Sequence, residues 1–132
     1  MAFLNWENSF SVGVDSLDEQ HKVLIEMIND FYENIKTRSN KENISLLLKK
    51  MKEYTILHFK TEEAYLKKIN FPQTENHKKE HDKFIEKVAD VEKKFNEGKM
   101  VLSVEITTFL KEWLKTHILI IDMKYANYKS KI

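Results

Sequence analysis

The sequence predicts an all-α fold, an up-down-up-down antiparallel four-helix bundle preceded by an N-terminal arm. Three observations predict it. Among 132 residues there are two glycines and one proline, and none lies between Gly13 and Pro72, a composition that favours long helices and few turns. Four stretches carry apolar residues in steps of three and four, the period of a helix buried along one side. The connections between them are short, which sets each helix antiparallel to its neighbour. The expected organisation is one domain over 1–132, with the arm at 1–15, the bundle at 16–125 and a lysine-rich solvated tail at 126–132.

The arm carries Trp6, Phe10, Val12 and Val14, and Gly13 interrupts any helix there. Trp6 and Phe10 are expected to lie over the bundle. Helix A opens at Ser16-Leu17-Asp18-Glu19, a capping-box pattern in which Ser16 and Glu19 satisfy each other's unpaired amides. Its buried stripe is His21, Leu24, Ile25, Ile28, Phe31, Tyr32 and Ile35. Ser39-Asn40-Lys41-Glu42 repeats the pattern and starts helix B, striped by Ile44, Leu47, Leu48, Met51, Tyr54, Thr55, His58, Glu62, Tyr65 and Leu66. Asn70-Phe71-Pro72 ends it, because the residue before a proline is pushed out of helical geometry. Helix C is striped by His77, His81, Phe84, Val88, Val91 and Phe95, with Gly98 as a left-handed cap. Helix D starts near Ser103 and turns Ile106, Leu110, Trp113, Leu114, His117, Ile118 and Ile121 inward.

Composition removes several classes of function. Lys+Arg 22 against Asp+Glu 21 leaves the chain almost neutral, with no basic stripe, so nucleic acid and membrane surfaces are not expected partners. Cysteine is absent, which excludes disulfides, thiolate zinc sites and cysteine-ligated iron–sulfur clusters. The first residues lack a basic region followed by an apolar run, as a signal peptide would have. The aliphatic run at 118–121 is far too short to span a bilayer. A soluble, cytoplasmic protein is expected.

What remains to be explained is the histidines. The chain has five, namely His21, His58, His77, His81 and His117, and each falls on the apolar stripe of a helix. His77 and His81, like His58 and Glu62, are four residues apart and so share one helix face. His21 is near the start of A, His58 near the end of B, His77 and His81 near the start of C, and His117 near the end of D. In an up-down bundle those positions lie at one end. A single histidine on an apolar face is usually a hydrogen-bonded core residue, but five together with Glu62 would be a costly polar cluster without a cation. Imidazole with carboxylate suits iron, zinc or manganese, and the lack of sulfur argues against copper(I). Five nitrogens plus carboxylates exceed one tetrahedral zinc, which points to two metals. The Glu-x-x-His signature of ferritin-like di-iron proteins is missing, since Asp18, Thr55, Thr74, Lys78 and Leu114 stand three residues before the five histidines.

Trp6, Asp18-Glu19-Gln20-His21-Lys22, His58-x-x-x-Glu62, His77-x-x-x-His81 and Trp113-Leu114-x-x-His117-Ile118-x-x-x-Asp122 together resemble the hemerythrin family, in its single-domain bacterial form. The resemblance covers the whole chain. It implies reversible binding of one O2 at an oxo- or hydroxo-bridged non-haem di-iron centre, for oxygen storage, transport or delivery to an oxygen-consuming enzyme. It also implies the ligand set: His77, His81 and His117 on one iron, His21 and His58 on the other, and Glu62 and Asp122 bridging. By the same matching, Leu24, Phe59, Trp113, Leu114 and Ile118 flank the O2 position. The resemblance implies a binding protein and no catalytic residues; the alternative is O2 or redox sensing, or a di-iron peroxidase or oxidase, at the same centre.

One spacing is irregular. His117 and Asp122 are five residues apart, and in an α-helix five steps turn a side chain about 140° from its starting direction. Both reach one site only if helix D is locally widened, tilted or ending. A π-type turn would realign them, so irregular winding is expected between Trp113 and Tyr125.

Overall fold

The computed structural model describes residues 4–37, 40–98 and 104–131, without the side chains of 104–106. The expected cap Ser39 and start Ser103 lie outside the described residues, as does the side chain of Ile106. The bundle is formed by α1 (Asp15–Lys36), α2 (Lys41–Lys68), α3 (Thr74–Asn96) and α4 (Val104–Thr116). The fourth rod winds on as a π-helical segment, His117–Asp122, and then as α5, Met123–Lys129. The expected four-helix bundle is the observed architecture.

On α3 the buried residues are His77, His81, Phe84, Val88, Val91 and Phe95, the expected stripe residue for residue. On α1 the stripe is joined by Leu17 and Asp18, while Tyr32 and Ile35 are half-buried. On α2 Phe59 is buried, and Leu47, Tyr54 and Tyr65 are half-buried at the margin. Ile121 is also half-buried instead of inward, because the widened winding turns it away while bringing Asp122 in.

The helix ends differ in detail from expectation. α1 starts at Asp15 with Val14 before it and no side-chain cap, so Ser16 sits inside the first turn and makes no capping box with Glu19. The carboxylate of Asp18 does the anchoring instead: it accepts from the Val12 amide at 2.9 Å and the Ser11 hydroxyl at 2.6 Å, tying the arm to the helix. α2 is capped by Asn40, whose side chain accepts from the Asn43 amide at 2.8 Å. At its other end Asn70 takes a left-handed φ of 56°. The Phe71 amide then reaches back to Leu66 O and the Asn70 amide to Lys67 O, a Schellman closure in which Phe71 packs on Leu66. Pro72 follows that stop and is not its only cause. Gly98 has the left-handed φ of 73° expected of it.

The arm packs as expected. Phe10 is buried in the main core and Trp6 is partly buried against it, with an edge-to-face contact between them. Asn29 clips the arm to α1 by accepting from the Leu4 amide and donating to the Leu4 carbonyl. Residues 126–129, expected as a solvated tail, continue the helix instead. Tyr128 donates to Asn70 O and Lys129 to Gly13 O, so the C-terminal helix is tied both to the turn after α2 and to the base of the arm. Among the described residues no helix is long and apolar enough to cross a membrane.

Candidate metal centre

α1 supplies His21, α2 supplies His58 and Glu62, α3 supplies His77 and His81, and the π segment supplies His117 and Asp122. All seven side chains are buried, none more than 4% exposed. The pairs four residues apart share a face of regular α-helix. The pair five apart shares a face because the winding between them is π, with about one residue more per turn.

The two carboxylates sit between two groups of imidazoles. Glu62 Oε1 lies 2.6 Å from His77 Nε2, 3.0 Å from His81 Nε2 and 3.9 Å from His117 Nε2. Its other oxygen, Oε2, lies 3.5 Å from His21 Nε2 and 3.4 Å from His58 Nε2. Asp122 divides in the same sense: Oδ1 is 3.1 Å from His77 and 3.0 Å from His117, and Oδ2 is 3.3 Å from His21. His81 and His117 aim their Nε2 atoms at each other across 3.1 Å.

These residues fit metal ions. Ligand atoms about 2.1 Å from a metal and at right angles stand about 3.0 Å apart, the spacing seen in the His77, His81 and His117 group. Asp122 and His21 have buried polar atoms with no hydrogen-bond partner, namely both carboxylate oxygens and both ring nitrogens. Leaving buried polar atoms without a hydrogen bond is costly, and coordination would offset that cost. Groups able to hold an ion are Glu62, His77, His81, His117 and Asp122 on one side and His21, His58 and Glu62 on the other.

In the protein alone the cluster is strongly self-polarised. Burial draws the His21 imidazole towards neutrality, yet Asp122 and Glu62 outweigh it and bring that group up to about 9. His117, likewise opposed by burial and driven by Asp122, is brought up to about 10. His77 is raised for the same reason. Burial prevails at His58, which is lowered. Burial would raise both carboxyls, but the imidazoles around them hold Glu62 and Asp122 below the usual carboxylate range.

Three supporting residues were not assigned roles from the sequence. Tyr125, wholly buried, donates to Glu62 Oε2 at 3.1 Å. Gln20 Oε1 lies 2.8 Å from His58 Nδ1, and Glu63 Oε2 lies 2.9 Å from His81 Nδ1. Each adjoins or follows a ligand-type residue in the chain, but which side chain of the cluster it meets depends on how two helices pack. Rings brace the imidazoles: Phe59 stacks on His81 at 3.7 Å, and Trp113 stacks on His117 at 4.5 Å.

Beneath the cluster lies a cavity of about 20 Å³ lined by apolar side chains and Thr55. The first layer is Leu24, Thr55, Phe84, Trp113 and Leu114, each three or four residues along its helix from a histidine. Phe59 also lines it. Thus Leu24, Phe59, Trp113 and Leu114 border the cavity, whereas Ile118 is buried in the core outside its lining. A water needs roughly 10–15 Å³ and two or more polar partners. Of the lining side chains only Thr55 and Trp113 carry a polar group, and the Thr55 hydroxyl already donates to Met51 O, so the cavity favours a small, largely apolar guest.

Comparison with known proteins agrees with this geometry. The family model described as "Hemerythrin HHE cation binding domain" matches residues 12–128. A bacteriohemerythrin of Methylococcus capsulatus is 33% identical over 127 residues, covering 96% of each chain. A hemerythrin-like protein of Naegleria gruberi is 38% identical over 121 residues, 92% of this chain and 89% of that one. A crystal structure of wild-type hemerythrin superposes with a TM-score of 0.91 at 32% identity, covering 96% of this chain and 97% of its own.

Proposed function

Because this chain belongs to the hemerythrin family, we propose that it binds one O2 reversibly at its di-iron centre, for storage or for delivery to an oxygen-consuming enzyme. His77, His81 and His117 would hold one ion, His21 and His58 the other, and Glu62 and Asp122 would span both. The observation that carries this reading is the division of the carboxylate oxygens, with Oε1 and Oδ1 facing one histidine group and Oε2 and Oδ2 facing the other. Two ions sharing both carboxylates would use all four oxygens, whereas one ion among either group of histidines would leave the oxygens that face the other group unused.

The two positions are unequal. His77, His81 and His117 with the two carboxylates would give one ion five protein donors, and His21 and His58 with the same carboxylates would give the other four, so the second would be the one left open to O2. When bound, ferrous ions supply the electrons that let O2 bind and leave again. The chain's own part is to keep that position dry and aprotic. Leu24, Phe59, Trp113 and Leu114 present carbon to it, and the cavity they share admits a diatomic guest but no organic substrate. That restriction favours binding over catalysis. A ferrous centre is most easily kept reduced in the cytoplasm, where we place the protein.

The test is an absorption spectrum of the reduced, iron-loaded protein, recorded anaerobically, after air and after O2 removal. Return to the starting spectrum over repeated cycles is the expected result. One-way oxidation with sustained turnover of peroxide and a reductant would overturn it in favour of an enzyme.

A further inference from the structure

His58 and His81 are backed in the same geometry by groups of different charge. Each turns Nε2 into the cluster and meets a side-chain oxygen with Nδ1, at 2.8 Å from Gln20 for His58 and 2.9 Å from Glu63 for His81. A carboxylate can only accept, so His81 Nδ1 carries the hydrogen and its Nε2 lone pair faces inward, towards Glu62 Oε1 and His117. Glu63 keeps part of its surface in solvent, 22% exposed, while His81 is fully buried.

A hydrogen bond to an anion is roughly twice as strong as one to a neutral oxygen. It moves the ring proton towards the acceptor and electron density towards the opposite nitrogen, making that nitrogen a stronger donor to a cation. His58, backed by a neutral amide, gains less. His58 and His81 also belong to different ligand groups, so the difference falls between the two metal positions.

We propose that Glu63, acting through His81, makes the two metal positions electronically unequal, lowering the reduction potential of the ion held by His77, His81 and His117. Gln20 leaves the ion held by His21 and His58, the one with the free position, easier to keep ferrous. Two helices thus place an acid and an amide in equivalent seats, and the seat's charge sets the bias. The inference rests on the di-iron reading above.

The experiment compares the full-length iron-loaded protein with Glu63→Gln and Gln20→Glu, both of which preserve the size and the hydrogen-bonding oxygen. Iron per chain is measured first, then the midpoint potential by spectroelectrochemistry. Glu63→Gln is expected to keep two irons and to favour the reduced state about tenfold, an upward shift of about 59 mV for one electron. Gln20→Glu is expected to shift the potential downward by a similar amount. An unchanged potential in Glu63→Gln overturns the proposal, as does loss of iron from that variant, since Glu63 would then only orient His81. Wild-type protein that fails to take up two irons would overturn the di-iron reading itself, before any variant is compared.

Discussion

Glu62 and Asp122 divide their oxygens in the same sense between the same two groups of histidines, although one sits on a regular α-helix and the other closes a π segment. Glu62 Oε1 and Asp122 Oδ1 both meet His77, at 2.6 and 3.1 Å, and the opposite oxygens both meet His21, at 3.5 and 3.3 Å. Two carboxylates in this relation act together, so the loss of either affects both metal positions.

Glu62→Ala should therefore cost more than one ion. Iron per chain, measured after anaerobic reconstitution, is expected to fall from two to below one. Retention of one full equivalent would mean that the two positions fill independently.

Metal should stabilise the fold strongly. A ligand present at a thousand times its dissociation constant contributes about 4 kcal/mol, which in a domain of this size raises the melting temperature by roughly 10 °C or more. Calorimetry with and without iron checks this, and equal midpoints would show that the buried histidines need no cation.

The metal-free chain should respond to pH in a defined way. His21 and His117 are raised above the ordinary 6.5, to about 9 and about 10. Their contribution to stability is full below 6.5 and is lost as pH rises through 9 and 10. The carboxyls are lowered, so their contribution is present above the usual carboxylate range and is lost in acid. The melting temperature of the metal-free chain is expected to fall as pH rises from about 6.5 to about 10. Loading metal at pH 7 must displace the protons of His21 and His117, which titration calorimetry in buffers of different ionisation enthalpy would register. No proton release would refute this charge arrangement.

The cavity separates two apolar residues that look equivalent in the sequence. Leu24 lines it and Ile118 does not, while both are buried. Leu24→Ala and Ile118→Ala should each destabilise the fold by about 2–5 kcal/mol. Leu24→Ala should accelerate loss of the O2 adduct much more, because it opens the space next to the free position to water. Equal autoxidation rates, followed at the charge-transfer band, would make the cavity irrelevant to adduct lifetime.

The π segment can be tested by deletion. A π bulge behaves as one residue inserted into an α-helix, and Ile120, 58% exposed, is the residue of the segment that packs least. Removing Ile120 should restore α winding with the histidine and the aspartate four apart, still on one face. Iron content near two per chain is the expected result. Loss of iron would show that the wider turn itself shapes the site.

How much of this was legible in the sequence follows from where each constraint acts. The α3 stripe and the convergence of the five histidines at one end were legible because they need only helical periodicity and alternating direction. The five-residue step from His117 to Asp122 was legible as an irregularity for the same reason. The family resemblance added the partition of ligands, which periodicity alone left open. The start of α1 was misread at Ser16 because a capping box is a local signal, and Asp18 is engaged by Ser11 and Val12 of the arm. The tail was misread because its contacts, Tyr128 to Asn70 and Lys129 to Gly13, join residues 58 and 116 positions apart.

The sequence by itself determined the helices, their order and the face each histidine uses, since these depend on spacing along one chain. Only the tertiary structure decided which oxygen of Glu62 meets which imidazole, that Glu63 stands behind His81 and Gln20 behind His58, and that Ile118 lies outside the cavity Leu24 borders. Those outcomes depend on the rotation and height of one helix against another. Side-chain packing between helices sets both, and no interval in the sequence encodes them.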